Sequence, residues 1–411
     1  MSRKRLFQLQ AGVYQNKVKL SFYKKTPSSQ SKDDKQSEDV VSVYRKSEPG
    51  FIFGQDYDEY FDGLDWREAE LIFKGALPAI NKRKFEYIDD RVEVGKTYVY
   101  WVTMDGEELP VGPASVRVRD SQVWWPQAET ERRMADLADT YPGRVTLKTF
   151  GSTVKGRPLN GMIAGNPARV VALVGTVHAG ESGPELIVPA FERLIRENEA
   201  LLEKAGAAVM PSVNIDERER LVNGYPPYLR VNANGVDINR NFDANWEEVG
   251  YGYGLVTSDP DSMTYRGEHP ASELETKAIV KFVDEIKPTI VLSFHALASI
   301  CGARFLFAAA AEADKQFIEN CRQLADIYGK AMYPDQKVEV KVSPGCTVGS
   351  LAAWLYRQHR IIGLDLEYDG VEHARPALTD LTTRKLVNEY QERHYQGVVA
   401  LMNALTSPRT S

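Results

Sequence analysis

The sequence predicts two folds in series: a small all-β sandwich over residues 1–120, then an α/β domain, a β-sheet flanked by helices, over residues 121–411. Three observations predict this. A chain of 411 residues is long enough for more than one core. Its first 120 residues hold short β-prone runs separated by polar turns, and from Trp124 onward strand-like apolar runs alternate with helical periodicity. With 43% hydrophobic and 26% charged residues the composition is that of a globular protein, which excludes fibrous and disordered classes. A formal net charge of -6 offers no overall basic surface for phosphates, so no nucleic-acid partner is expected.

In the first domain, Val18 to Tyr23 and Val40 to Tyr44 read as strands, and the polar stretch 24–39 between them as a long loop. The stretch GKTYVYWVTMDGEELPVGPASVRVRD (95–120) reads as a hairpin turning at Asp105-Gly106, with Tyr98, Tyr100 and Val102 on one face. This hairpin resembles the last one of a fibronectin type III domain. In that family a tyrosine just after a Gly-x-Thr turn bonds back to the preceding corner, and Tyr98 holds the matching place. Residues 51–80 are acidic and aromatic, more than a plain module carries. Their acids (Asp56, Asp58, Glu59, Asp62, Asp65) lack calcium-ligand spacing and read as a solvated loop.

In the second domain a polar helix is expected near Glu129 to Thr140, with strands at Val145 to Phe150 and Arg169 to Val177. A helix over Glu185 to Asn198 places Ile187, Phe191 and Leu194 on one face. Another, near Ser272 to Ile286, precedes the strand Thr289 to Phe294. The last strand is Ile361 to Leu366, and Leu386, Tyr390, Val398, Leu401 and Leu405 recur at helical spacing in a long terminal helix.

The three cysteines, Cys301, Cys321 and Cys346, form neither a disulfide framework nor a CxxC zinc pattern, so any metal is expected on His and carboxylate. The amino terminus has no apolar run of signal-peptide length and no stretch approaches membrane-span length, so the expectation is a protein that is not membrane-bound and is cytoplasmic by default.

The chemistry starts at VVALVGTVHAGESGPEL (170–186), where a buried-type strand runs out at His178 and Glu181 follows three residues later as a helix begins. Two such side chains can face one point, but a His-x-x-acid match arises by chance about once in a chain with 6 His and 57 acids, and a helix-capping pair is the alternative. The strand TIVLSFHA (289–296) ends in His295, at the edge where open α/β sheets place their ligands; alone it reads as a packed core histidine. Together the three complete a His, Glu, His set, which suits one Zn²⁺ ion and leaves a fourth position for water or substrate.

The stretch YLRVNANGVDINRNFDANW (228–246) is more specific. With YRGEHPASELETKAIVKFV (265–283), which carries Gly-x-x-x-x-Ser-Glu-x-Glu at a helix start, it resembles the M14 metallocarboxypeptidases in motif order and spacing. The resemblance implies a mixed central sheet flanked by helices and zinc held by His178, Glu181 and His295. It implies that Asn239 and Arg240 grip the substrate's terminal carboxylate, Arg230 faces the scissile carbonyl, and Glu367 is the general base and acid. A guanidinium presents a planar fork matching a carboxylate, which a lysine does not. In IIGLDLEYDG (361–370) Glu367 fits the family pattern, thirteen residues after Trp354, while Asp365 on the same strand face stays open as its rival.

The chain also departs from the pattern. Where animal digestive members carry a mobile-loop tyrosine, SPGCTVGS (343–350) puts Gly345, leaving Tyr356, Tyr225, Tyr228 and Tyr251 as substitutes. Ala352 and Ala353 fall near the side-chain pocket, with neither an apolar plug nor a carboxylate. The substrate implied is a peptide or a peptidoglycan-like stem peptide with a free terminal carboxylate, cut at a peptide or isopeptide bond. Two other readings stand beside it: a zinc deacylase of an N-acyl amino acid, and a non-catalytic binding protein.

Overall fold

The computed structural model describes residues 6–24, 40–47, 57–80, 84–105, 109–181, 183–226, 229–248, 251–252, 254–295, 305–335, 339–344, 348–367 and 384–407. The expected loop 25–39, the turn residue Gly106, and Cys301, Gly345, Cys346 and His373 lie outside the described residues. The chain divides into two compact units, Met1–Ser121 with Arg220–Tyr228, and Gln122–Glu219 with Leu229–Ser411.

The first unit contains, in chain order, β1 (Leu6–Tyr14), β2 (Lys17–Lys24), β3 (Val40–Ser47), the short helix α1 (Tyr57–Asp62), β4 (Glu70–Ala76), β5 (Lys84–Asp89), β6 (Thr97–Met104) and β7 (Val111–Arg117). They form two antiparallel sheets, β1-β2-β5 and β4-β3-β6-β7. Alternation sets the core: Val18, Leu20 and Phe22 of β2 meet Val41 and Val43 of β3 and Tyr98, Tyr100 and Val102 of β6 in one buried cluster, making a sandwich. The opposite face of β6 is covered too, since Val99 and Trp101 are also buried. Tyr98 bonds back as expected: its Oη accepts from the backbone N of Glu93 at 2.9 Å. The sequence reading omitted β1, β4 and β5.

The second unit begins with α2 (Gln127–Thr140), β8 (Val145–Ser152), β9 (Pro158–Gly165), β10 (Val170–Gly175), α3 (Pro184–Glu197), α4 (Glu199–Leu202) and β11 (Gly206–Met210). Helix α5 (Ile215–Val222) follows, its last three residues counted with the first unit, and then the two-residue strands β12 (Tyr251–Gly252) and β13 (Gly254–Leu255). The remainder is α6 (Leu274–Ile286), β14 (Ile290–His295), β15 (Phe305–Ala310), α7 (Lys315–Met332), β16 (Glu339–Pro344), α8 (Leu351–Trp354), β17 (Ile362–Glu367) and α9 (Arg384–Thr406).

Eight strands make one mixed sheet in the order β16-β15-β17-β14-β10-β11-β9-β8. Strands β11, β10, β14 and β17 run parallel, whereas β9 joins β11 and β15 joins β17 antiparallel. Helices cover both faces. Val291 packs with Ile279 and Phe282 of α6 and Leu351 to Trp354 of α8, while Phe294, of opposite parity, lies 4.7 Å (ring centroids) from His394 of α9. His295 and Ser293 share the parity of Val291. The sheet therefore delivers the ends of β10, β14 and β17 side by side, the usual place for a site in a parallel α/β sheet. No helix among the described residues is long and apolar enough to cross a membrane.

The sandwich carries one buried charge cluster. Asp89, 1% exposed, accepts from Arg45 Nη1 at 3.0 Å, Tyr100 Oη at 3.0 Å and the backbone N of Arg91 at 3.0 Å. Asp89→Ala should therefore cost about 1–3 kcal/mol in a urea titration, because it leaves the buried Tyr100 phenol without its acceptor and takes one of two carboxylates from Arg45. Burial, and then Asp89, push the Tyr100 phenol well above its ordinary value. Its stabilisation is whole below the ordinary tyrosine value of 10.0 and is lost as pH climbs above it, so wild type should lose stability in alkali more steeply than Tyr100→Phe.

Candidate metal centre

Strand β10 is buried along its whole length and ends at Gly175, where a Cβ would lie 2.4 Å from the Pro211 carbonyl oxygen, so only glycine fits. The chain turns at Thr176 (φ 49°), and Glu181 N donates to His178 O at 3.2 Å. Glu181 thus sits on a loop turn, because α3 starts only at Pro184, and not on the helix start that the sequence reading placed there.

Three side chains converge from that loop and from the end of β14. His178 Nδ1 is 3.0 Å from both Glu181 carboxylate oxygens, and His295 Nδ1 is 2.8 Å from Glu181 Oε2 and 3.2 Å from His178 Nδ1. All three residues are at most 1% exposed, and their ligand atoms lie within 4.8 Å of one another. Two imidazole nitrogens facing each other at that distance need a hydrogen or a metal between them. Burial works against a charged His295, but the Glu181 and Asp365 carboxylates outweigh it and hold the imidazole well above its ordinary value. Burial likewise opposes ionisation of Glu181, and the two histidines reverse this and hold its carboxyl well below the usual range. A buried site that draws in positive charge through two nitrogens and a carboxylate fits Zn²⁺.

The far nitrogens are also occupied. His178 Nε2 lies 3.1 Å from Asp237 Oδ1; His295 Nε2 lies 3.1 Å from Ser293 Oγ and 3.7 Å from Asp365 Oδ1. Such partners fix ring orientation and leave Nδ1 of each ring facing Glu181, where it could serve as a ligand. Asp237 also accepts from Arg230 Nε at 2.7 Å and from Asn239 N at 2.9 Å. Burial would raise its carboxyl, but Arg230, Arg240 and His178 hold it well below the usual range.

Around this core stand the other residues singled out in the sequence. Arg230 is 6% exposed, and Asn239 and Arg240 are buried on the 3₁₀ turn Ile238–Arg240, which Asp237 caps. Asn239 Oδ1 accepts from Leu351 N at 2.9 Å and its amide reaches Asp365 Oδ2 at 3.4 Å; Arg240 Nη1 donates to Asn239 O at 2.8 Å. Gly349 (φ +65°) packs so closely that a Cβ would sit 2.1 Å from Arg240 O. Glu367 pairs in register with His295 across β14 and β17, so both side chains share a sheet face. Between the two acids of β17, Asp365 is the more deeply buried, at 1% against 8% exposure, and it is engaged with His295 and Asn239.

The Gly-x-x-x-x-Ser-Glu-x-Glu segment belongs to the same scaffold. Asn241 Nδ2 donates to Ser272 Oγ at 2.8 Å, Glu273 N donates to Asn241 Oδ1 at 3.1 Å, and Glu273 Oε2 accepts from Asn232 and Asn234, both at 2.8 Å. Of the candidate tyrosines, Tyr356 donates to Asp314 at 3.1 Å beneath the Arg360 guanidinium, and Tyr225 falls in the first unit. Tyr228 and the side chain of Tyr251 lie outside the described residues. Ala352 and Ala353 pack in the hydrophobic core beside Trp354. Sequence reading missed Asp237, Ser293 and Gly349; Asp237 stood inside the quoted Gly-Val-Asp-Ile-Asn-Arg-Asn-Phe run, and its position two residues before Asn239 was the available signal.

The family model described as zinc carboxypeptidase matches residues 130–393. Human carboxypeptidase O is 26% identical over 205 residues, covering 45% of this chain and 54% of that protein. Murein peptide amidase A of Escherichia coli (strain K12) is 44% identical over 70 residues, covering 16% of this chain and 29% of that one. The chain thus spans about half, or less, of the length of these curated relatives. A crystal structure of carboxypeptidase A from Helicoverpa armigera superposes with a TM-score of 0.58 at 15% identity, covering 72% of this chain and 76% of that one, a likeness of fold. With more than half of its residues matched by that model, and with its two histidines and glutamate gathered at the carboxyl ends of β10 and β14, the chain belongs to the zinc carboxypeptidase family, Peptidase_M14.

Proposed function

We propose that the protein is a zinc-dependent carboxypeptidase, which hydrolyses the last peptide or isopeptide bond of a substrate with a free terminal carboxylate. In this reading residues 121–411 form the catalytic domain and residues 1–120 a fibronectin-like sandwich. The observation that carries it is the convergence of His178, Glu181 and His295 with Glu367 in register beside His295.

His178, Glu181 and His295 would hold the ion. Bound Zn²⁺ supplies Lewis acidity, acidifying water and polarising the scissile carbonyl. The protein's own groups do the rest. Glu367 takes a proton from the attacking water and passes it to the departing amine, so one carboxylate serves as base and then as acid. Arg230, steadied through its Nε by Asp237, presents the remainder of its guanidinium to the developing oxyanion. Asn239 and Arg240 bind the terminal carboxylate, and the restriction to chain ends follows from that. His178 and Arg230 share the Asp237 carboxylate, which supports reading them as ligand and oxyanion donor held together.

A second reading concerns the substrate alone. The relative with 44% identity over 70 residues is named a murein peptide amidase, which favours a peptidoglycan-derived peptide over an ordinary one.

Elemental analysis should find one zinc per chain, removable by a chelator with loss of activity, and His295→Ala should abolish binding of the ion. A panel of free and amidated peptides, with γ-glutamyl and diaminopimelate-bearing ones, tests the reaction. Release of the last residue from free-carboxylate substrates only is expected, with kcat lowered about 10²–10⁴-fold in Glu367→Gln while zinc stays bound. Zinc binding with turnover of N-acyl amino acids instead would establish the deacylase, and binding without any turnover the non-catalytic reading.

A further inference from the structure

We infer that Arg218 is a positioning residue that fixes the shape of the 178–181 loop and, through it, the affinity and geometry of the metal centre; the inference rests on reading His178, Glu181 and His295 as that centre. The loop lies between the end of β10 and the start of α3, so neither a strand ladder nor a helix holds its peptide groups. Beside the turn's own bond from Glu181 N to His178 O, three contacts from outside the loop hold them among the described residues. Gly180 N donates to Leu229 O at 2.7 Å, and Arg218 Nη1 donates to Glu181 O at 2.6 Å and to Ala179 O at 3.3 Å.

Arg218 is built to do this. It projects from α5 with its side chain 4% exposed, its Nη2 pairs with Glu185 Oε1, and its guanidinium lies 4.8 Å from the centre of the Trp124 ring. Glu185 in turn accepts from Trp125 N at 3.0 Å and from Gly183 N at 3.3 Å, on the far side of the same loop. The helix is itself tied to the site: Asn214, just before it, receives Arg218 N at its carbonyl (3.1 Å) and donates its side-chain amide to Val231 O at 2.8 Å, next to Arg230. A buried ion pair with Glu185 alone would not require the carbonyl of a ligand residue as a third acceptor. The forked, planar guanidinium reaches the carboxylate and both carbonyls at once, which the point charge of a lysine does not.

The test uses the full chain and zinc itself. Affinity is measured by chelator competition for wild type, Arg218→Lys and the double variant Arg218→Met/Glu185→Gln, which removes the buried pair together and keeps one acceptor oxygen, for Trp125 N. The absorption of the Co²⁺-substituted proteins at saturating metal is recorded beside it. Zinc affinity lower by about 10–100-fold, the size of effect typical for groups that orient ligands, with an altered cobalt spectrum in a variant that still melts cooperatively without metal, is the expected result. Wild-type affinity and spectrum in the folded variants would falsify the inference while leaving the metal centre standing. A wild type that binds no zinc removes the metal centre and the inference with it. Should the double variant not fold, Arg218→Lys decides by the same two readouts.

Discussion

The carboxylate of Asp237 is the point on which the site depends. It is fully buried, and a buried carboxylate is tolerable only when charge and hydrogen bonds surround it. Here the surrounding groups are the far nitrogen of His178, Nε of Arg230 and the backbone of Asn239. The cost of burying one acid therefore fixes His178, Arg230 and the turn carrying Asn239 and Arg240 in a single geometry. Three separate stretches of sequence are made mutually dependent by it.

The sheet supplies the other half of that geometry. Because β10, β14 and β17 are adjacent and parallel, their ends emerge together, and parity sends Ser293 and His295 of β14 to the same side as Asp365 and Glu367 of β17. Asp365 and Glu367 differ by one pleat repeat along their strand. That single step separates an acid turned toward the far nitrogen of His295 from one less buried at the strand's end, a distinction that no count of carboxylates in the sequence provides.

Much of this was legible in the residues. Strong apolar runs such as Val170 to Gly175 and Ile290 to His295 are strands in the structure, and the amphipathic stretches near Glu129, Glu185 and Ser272 are helices, because burial on one or both faces leaves a period in the sequence. Strand β9 was missed for the opposite reason. It reads PLNGMIAG, weak in β propensity, and its Gly161 is there because a Cβ would meet Val209 O at 2.7 Å. Strand β4 lies inside the acidic stretch 51–80 and buries none of its residues fully, β5 alternates charged with apolar residues, and β1 carries an irregular register between Phe7 and Gln10. Within the site, the His178, Glu181 and His295 set was legible because the weak His-x-x-Glu pair was joined by a strand-end histidine and by the specific runs at 228–246 and 265–283. Arg218 was not: in IDERERLV it reads as one more charge on a solvated helix, and only the tertiary fold turns that charge inward.

The first unit is not one continuous piece of chain. Residues Arg220–Tyr228 belong to it, with Gly224 O accepting from Arg117 N at 2.7 Å, Asn223 O from Val13 N at 3.0 Å and Leu221 O from Arg119 Nη1 at 2.7 Å. During synthesis from the amino terminus, then, the sandwich cannot complete its edges when its own seven strands have emerged. It must wait for about a hundred further residues, among them β8 to β11 and α5, before those donors find their acceptors. The small domain begins first and finishes late, and the ribosome's exit order couples its maturation to that of the larger one.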